Sequence, residues 1–105
     1  MSNQSAVFKA LAEPTRQAIV ELLSERSCTV REITQRVGAS QSGVSQHLDV
    51  LRRAELVRFE PRGASNVYSI DPRGIGALRG WLDRHWGVGL ENYAKLFADG
   101  DDNAS

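Results

Sequence analysis

Residues 29–54 hold two helix starts separated by a short glycine-led connection, and this arrangement limits the fold more than any other feature of the 105-residue chain. Thr29-Val-Arg-Glu32 is a capping box: the threonine accepts from the backbone of the third helical residue while Glu32 reaches back to the threonine N–H. Val30, Ile33 and Val37 then recur on one side, and Gly38 is a natural stop. After Gly38-Ala39, Ser40 caps a further helix from Gln41 to about Ala54, with Val44, Leu48 and Leu51 at the spacing that faces a core.

Upstream, an apolar stretch from about Ser5 to Leu11 predicts a short helix, with Val7, Phe8 and Leu11 on one face. Glu13-Pro14 breaks the chain, and a first-turn proline opens a helix from Pro14 to about Ser24 with Ile19, Leu22 and Leu23 as its stripe. Downstream, Leu56 to Glu60 and Asn66 to Ile70 are β-rich runs joined by Pro61-Arg-Gly-Ala-Ser65, which predicts a hairpin. Asp71-Pro72 supplies another N-cap and first-turn proline. A last helix then runs from Pro72 toward Phe97, with Leu78, Trp81, Leu82, Trp86, Tyr93, Leu96 and Phe97 among its apolar residues.

The expected fold is mainly α with a two-stranded β-hairpin, in the order α-α-α-α-β-β-α. It forms one domain over residues 1–98, with an acidic, polar tail at 99–105 expected to be disordered. The last helix carries more apolar surface than so thin a core can cover, which a second copy would resolve.

Charge is segregated although the chain is formally neutral. Residues 26–62 contain seven arginines, no lysine and four carboxylates, whereas both flanks are net acidic. Arginine is the side chain best shaped for phosphate, although a solvated helical face accounts for the same bias. Cys28 is the single cysteine, so neither an intrachain disulfide nor a multi-thiolate zinc site can form within one chain. No apolar run reaches the roughly 18 residues of a membrane span, and no leader pattern opens the chain, so the expected location is the cytoplasm.

Helix, glycine turn and helix form the unit whose second member can enter the major groove of DNA. With Val44, Leu48 and Leu51 assigned to the core, Gln41, Ser42, Ser45 and Gln46 remain facing solvent at the helix N-terminus, with Ser40 as its cap. Glutamine pairs bidentately with adenine, serine donates to bases or phosphates, and the positive end of the helix attracts phosphate. His47 lies between exposed and buried positions, where it either touches a phosphate or closes the edge of the core. Arg62, between Pro61 and Gly63 on the hairpin, is placed for the backbone or a narrow minor groove.

Over roughly residues 6–98 the chain resembles the ArsR-type (ArsR/SmtB) bacterial transcription regulators. The resemblance is carried by residues 8–19 (FKALAEPTRQAI), residues 29–33 (TVREI) and residues 39–51 (ASQSGVSQHLDVL). It implies a homodimeric winged helix-turn-helix protein that binds palindromic double-stranded DNA and represses. The first and last helices would then form the dimer interface, which here means Val7, Phe8 and Leu11 with Leu78, Leu82, Trp86, Tyr93, Leu96 and Phe97. Glu13 stands where the family commonly has Asp, and Glu55 where Gly is usual.

Many relatives sense metals, yet the ligand patterns are incomplete. Cys28 has no second cysteine two residues away and precedes its helix. Asp83-Arg84-His85 matches the first half of an Asp-x-His site, whereas Leu96 and Asp99 occupy the positions of the second. The expectation is a regulator without metal or cofactor, responding to a small-molecule or protein effector. A winged-helix module that binds protein instead of DNA is the alternative. No nucleophile–base pair or phosphate-binding glycine loop suggests an enzyme.

Overall fold

The computed structural model describes the backbone of residues 3–104 and the side chains of residues 4–86, 95 and 96. Five helices are present among these residues: α1 (Asn3–Leu11), α2 (Pro14–Glu25), α3 (Val30–Val37), α4 (Gln41–Arg53) and α5 (Pro72–Ala104). With them is a sheet of β1 (Cys28–Thr29), β2 (Val57–Arg62) and β3 (Ser65–Ile70), in spatial order β1-β3-β2.

The helix order and the hairpin follow the sequence reading, with one added strand. β1 lies between α2 and α3 and pairs antiparallel with β3, Cys28 opposite Tyr68 and Thr29 opposite Val67. Two residues carry no detectable alternation, so only the tertiary pairing defines this strand. The hairpin is also longer than expected. Arg62 pairs with Ser65, which leaves Gly63 and Ala64 as a two-residue turn, and Gly63 takes the left-handed φ of 60° asked of the first residue of a II′ turn. Pro61 sits inside β2 opposite Asn66, where it is accommodated because β2 is an edge strand.

The core is built where the apolar stripes converge. Ile19 and Leu23 of α2, Ile33 of α3, and Val44, Leu48 and Leu51 of α4 are buried together with Cys28, Leu56 and Val57. From α1, Val7 and Ala10 complete it. Val7 therefore departs from its expected place between two copies: it is fully buried within the protomer, and Leu11 and Leu78 pack partly against the same core. Cys28 is wholly buried, since its strand lies over the core. Burial pushes its thiol pKa up, so it stays a thiol near neutral pH.

α1 packs on α5 through an edge-to-face contact of Phe8 with Trp81, ring centroids 5.1 Å apart. Phe8, Leu82, Trp86 and Leu96 keep large exposed surfaces, whereas the side chains of Tyr93 and Phe97 lie outside the described residues. α5 continues through residues 99–104, where composition suggested disorder.

Two polar joints fix the helices relative to one another. At the α1–α2 corner, Glu13 caps α2 by accepting from the Arg16 N–H at 2.8 Å, which is the main reason its carboxyl titrates below the usual range. The Arg16 side chain closes the end of α1, donating to the carbonyls of Ala10 (2.7 Å) and Lys9 (3.3 Å), and Gln17 donates to that of Leu11 at 2.6 Å.

At the α4–β2 turn, Glu55 adopts a left-handed φ of 60°, the conformation the family's usual glycine takes at no cost. Its carboxylate meets Arg73 at 2.7 Å, and Arg73 also forks onto the buried Asp71 at 2.7–3.1 Å. Asp71 caps α5 by accepting from the Arg73 N–H, and the Arg73 hydrogen bonds hold its carboxyl below the ordinary Asp range. The Asp71 N–H donates to the Leu56 carbonyl and the Gly74 N–H to that of Glu55, so the start of α5 is stitched to the end of α4.

Candidate nucleic-acid interface

The expected capping box is present in both directions. The Glu32 N–H donates to Thr29 Oγ1 at 3.2 Å, and the Thr29 N–H donates to Glu32 Oε1 at 2.9 Å, which holds the Glu32 carboxyl below its usual range. Gly38 ends α3 in the left-handed conformation, its N–H on the Thr34 carbonyl, so the chain turns sharply into α4. Ser40 Oγ then accepts from the Gly43 N–H at 3.1 Å. Ser40 is thus first a structural cap, and its hydroxyl also lies 3.4 Å from Ser42 Oγ. A Cβ on Gly43 would stand 3.0 Å from Ser40 Oγ, so the glycine makes room for the cap.

Gln41, Ser42, Ser45 and Gln46 are all exposed. Ser42, Ser45, Gln46 and Asp49 follow one another at helical spacing along a single face. Asp49, the acidic member, is paired with Arg52 at 3.0 Å and Arg53 at 2.8 Å in exposed contacts.

His47 turns elsewhere. It is half-buried, with Nδ1 3.3 Å from an Arg16 guanidinium nitrogen and 3.8 Å from Glu13 Oε2. Because a guanidinium can only donate, Nδ1 of the neutral ring is the acceptor and Nε2 carries the hydrogen. Of the two readings open in the sequence, the geometry favours the edge of the core: His47 joins α4 to the α1–α2 corner.

On the wing, Arg58, Glu60 and Arg62 alternate along β2 and so share a face, all exposed. Arg62 is 3.8 Å from Glu60, both strongly exposed. The Phe59–Tyr68 cross-strand ring contact, with centroids 5.4 Å apart, stiffens the ribbon that carries them.

Between the wing and the helices lies a polar cleft of about 350 Å³. The first turn of α3 contributes Arg31, α4 contributes Gln41, and Ala64, Ser65 and Asn66 come from the wing. Two helix N-termini flank it, and no carboxylate is among its lining residues. Arg31 is exposed and was not singled out from the sequence. The available signal was its place in the first turn of the capping-box helix, which runs alongside the reading helix.

The Asp-x-His pair lies on the exposed side of α5. His85 Nδ1 is 2.9 Å from the Trp81 carbonyl of its own helix, the ring stacks on Trp81 at 4.6 Å, and the Asp99 side chain lies outside the described residues.

The geometry agrees with the relatives of the chain. The family profile described as bacterial regulatory protein, arsR family, matches residues 13–58. The HTH-type transcriptional regulator Rv2034 of Mycobacterium tuberculosis is 46% identical over 96 residues, an alignment covering 90% of each chain. A solved structure described as a possible transcriptional regulator for arsenical resistance superposes with a TM-score of 0.70 at 34% identity, over 94% of this chain and 96% of that one. The fold is also that of the homodimeric winged helix-turn-helix DNA-binding domain of Mb0332 from Mycobacterium bovis, with a TM-score of 0.66 at 24% identity, covering 98% of this chain and 84% of that one. A glycine-turned helix pair, a polar exposed face on its second helix and an arginine-bearing wing thus occur in a chain nearly half identical to a known regulator along most of its length: it belongs to the arsR family of bacterial transcriptional regulators.

Proposed function

We propose that the protein is a homodimeric repressor, not an enzyme, that binds an inverted-repeat operator with α4 in the major groove. The observation that carries this reading is the exposed face of Gln41, Ser42, Ser45 and Gln46, flanked on one side by the cleft at Arg31 and the wing at Arg62. The glutamines and serines read base edges, while Arg62 reaches the flanking backbone or minor groove. Arg31 and the two helix N-termini hold the phosphates that run between reading helix and wing.

Exposed Phe8, Leu82, Trp86 and Leu96 on α1 and α5 supply the surface for a second copy, and the homodimeric state of the Mycobacterium bovis domain supports the same assembly. A two-fold axis places the reading helices about one DNA turn or a multiple apart, so the two half-sites are inverted. Repression follows from occupancy of that operator. The family's metal sites are not used in this reading, since Cys28 is buried without a second cysteine, and Leu96 and Asp99 stand where the second half of the Asp-x-His site would be.

The test is selection of binders from a random duplex library at physiological salt, using the purified protein. An enriched inverted repeat is the expected outcome, and a well-folded dimer that enriches nothing would overturn the reading. Repeating the selection with Gln46→Ala should relax preference at one position in each half-site, a loss of about 1–3 kcal/mol of discrimination. Unchanged base preference would remove Gln46 from the reading set.

A further inference from the structure

α1 and α4 enclose an open groove of about 260 Å³ that the reading of DNA does not use. Its floor is apolar. Ala6 and Ala10 of α1 face Val50 of α4 and Ala54 at its end, and Val50 remains 38% exposed, unlike the buried Val44, Leu48 and Leu51 of the same helix.

The other three lining residues are all basic: Lys9, Arg16 and Arg53. No carboxylate lines the groove, and Lys9 has no ion-pair partner among the described residues. Arg53 shares Asp49 with Arg52 on the solvent side, an exposed contact of little strength. Arg16 is committed to the α1 carbonyls and to His47, so it contributes its positive field more than free donors.

An apolar floor under a ring of cations is complementary to an anion with an apolar body. Small side chains line both walls of this open groove, and its volume lies just below the usual range for ligand pockets, about 300–1,000 Å³. A nucleic-acid phosphate would leave the floor unused.

We propose that this groove binds a small aliphatic carboxylate. Its chain lies against Ala6 and the exposed side of Val50, over the buried Ala10 and Ala54, and its carboxylate lies between Lys9 and Arg53, which donate charge-assisted hydrogen bonds. Such a molecule touches the first helix and the reading helix at once, and Arg16 in the same wall touches His47, so its presence is registered at α4. The assignment stands apart from the operator reading and is tested without DNA.

The experiment is a titration of the full chain with sodium octanoate, followed by amide correlation spectra, with octanamide and sodium acetate as comparison probes. Saturable shifts are expected at the amides of Ala6, Lys9, Ala10, Val50 and Ala54. Octanamide should bind about ten-fold more weakly for want of the charge, and acetate more weakly still for want of the chain. The double variant Lys9→Gln/Arg53→Gln should lose about ten-fold in octanoate affinity while its octanamide affinity and its melting temperature stay as in the parent.

Equal affinity for octanoate and octanamide would overturn the proposal, as would full octanoate affinity in the double variant or shifts confined to another part of the molecule. Absence of any shift at millimolar octanoate would also overturn it.

Discussion

At Gly74 a single methyl group decides the joint between the last helix and the reading helix. A Cβ there would stand 2.6 Å from the Glu55 carbonyl oxygen, which is backbone and already accepts from the Gly74 N–H. Gly74→Ala should therefore destabilise the protein by about 1–3 kcal/mol in urea unfolding, with the strain concentrated at the turn that orients α4. Asp71 in the same joint is buried with its carboxyl held below the ordinary range by Arg73. The unfolded chain then binds the proton more readily, so the stabilisation is complete above about pH 4 and is lost as the pH falls through that value toward the folded one. Asp71→Asn should cost about 1–2 kcal/mol at neutral pH and flatten the acid limb of stability, as read from unfolding curves taken between about pH 5 and pH 3. The caps at Thr29, Ser40 and Asp71 are legible in the sequence because each partner lies within three residues. The contacts of Arg16 with His47 and of Arg73 with Glu55 are not, because nothing local says that residues so far apart will meet.

Among the elements, α4 is readable before it is seen. Its buried residues keep strict helical spacing and its polar residues fill what is left, so the exposure of Gln41, Ser42, Ser45 and Gln46 follows from the assignment of the core. The strands are harder. Pro61 argues locally against continuing β2, and only the edge position lets it stay, while β1 is too short to show a pattern. Arg31 escapes a reading of the sequence for a related reason: the cleft it lines is formed only when the wing folds back beside α3 and α4. Arg31→Ala should weaken operator binding evenly across sequences and reduce the slope of log affinity against log salt by about one, as a lost phosphate contact does. A change of base preference without a change of slope would place Arg31 at the bases instead.

For the whole molecule, Phe8, Leu82, Trp86 and Leu96 stay exposed on the two helices that pack through Phe8 and Trp81. Trp86, 52% exposed, offers the largest of these side chains to a partner. Trp86→Ala should shift sedimentation toward the monomer by weakening self-association by about 2 kcal/mol or more, and operator affinity should fall with it, because two half-sites are then no longer bound as one event. A dimer of unchanged strength would move the contact to another face. That surface cannot be read residue by residue: Val7 belongs to the same apolar stripe as Phe8 yet is used up inside the protomer.

A two-stranded ribbon at the margin of a sheet exposes a row of unsatisfied backbone groups, which is the template on which polypeptides polymerise into cross-β aggregates. β2 forms that free margin. Proline at 61 removes one donor from the row, and the charged residues Arg58, Glu60 and Arg62 line its exposed face. These charged side chains therefore serve as gatekeepers against edge-to-edge pairing, and neutralising them together should raise fibril formation, read by dye-binding fluorescence, before it alters the fold.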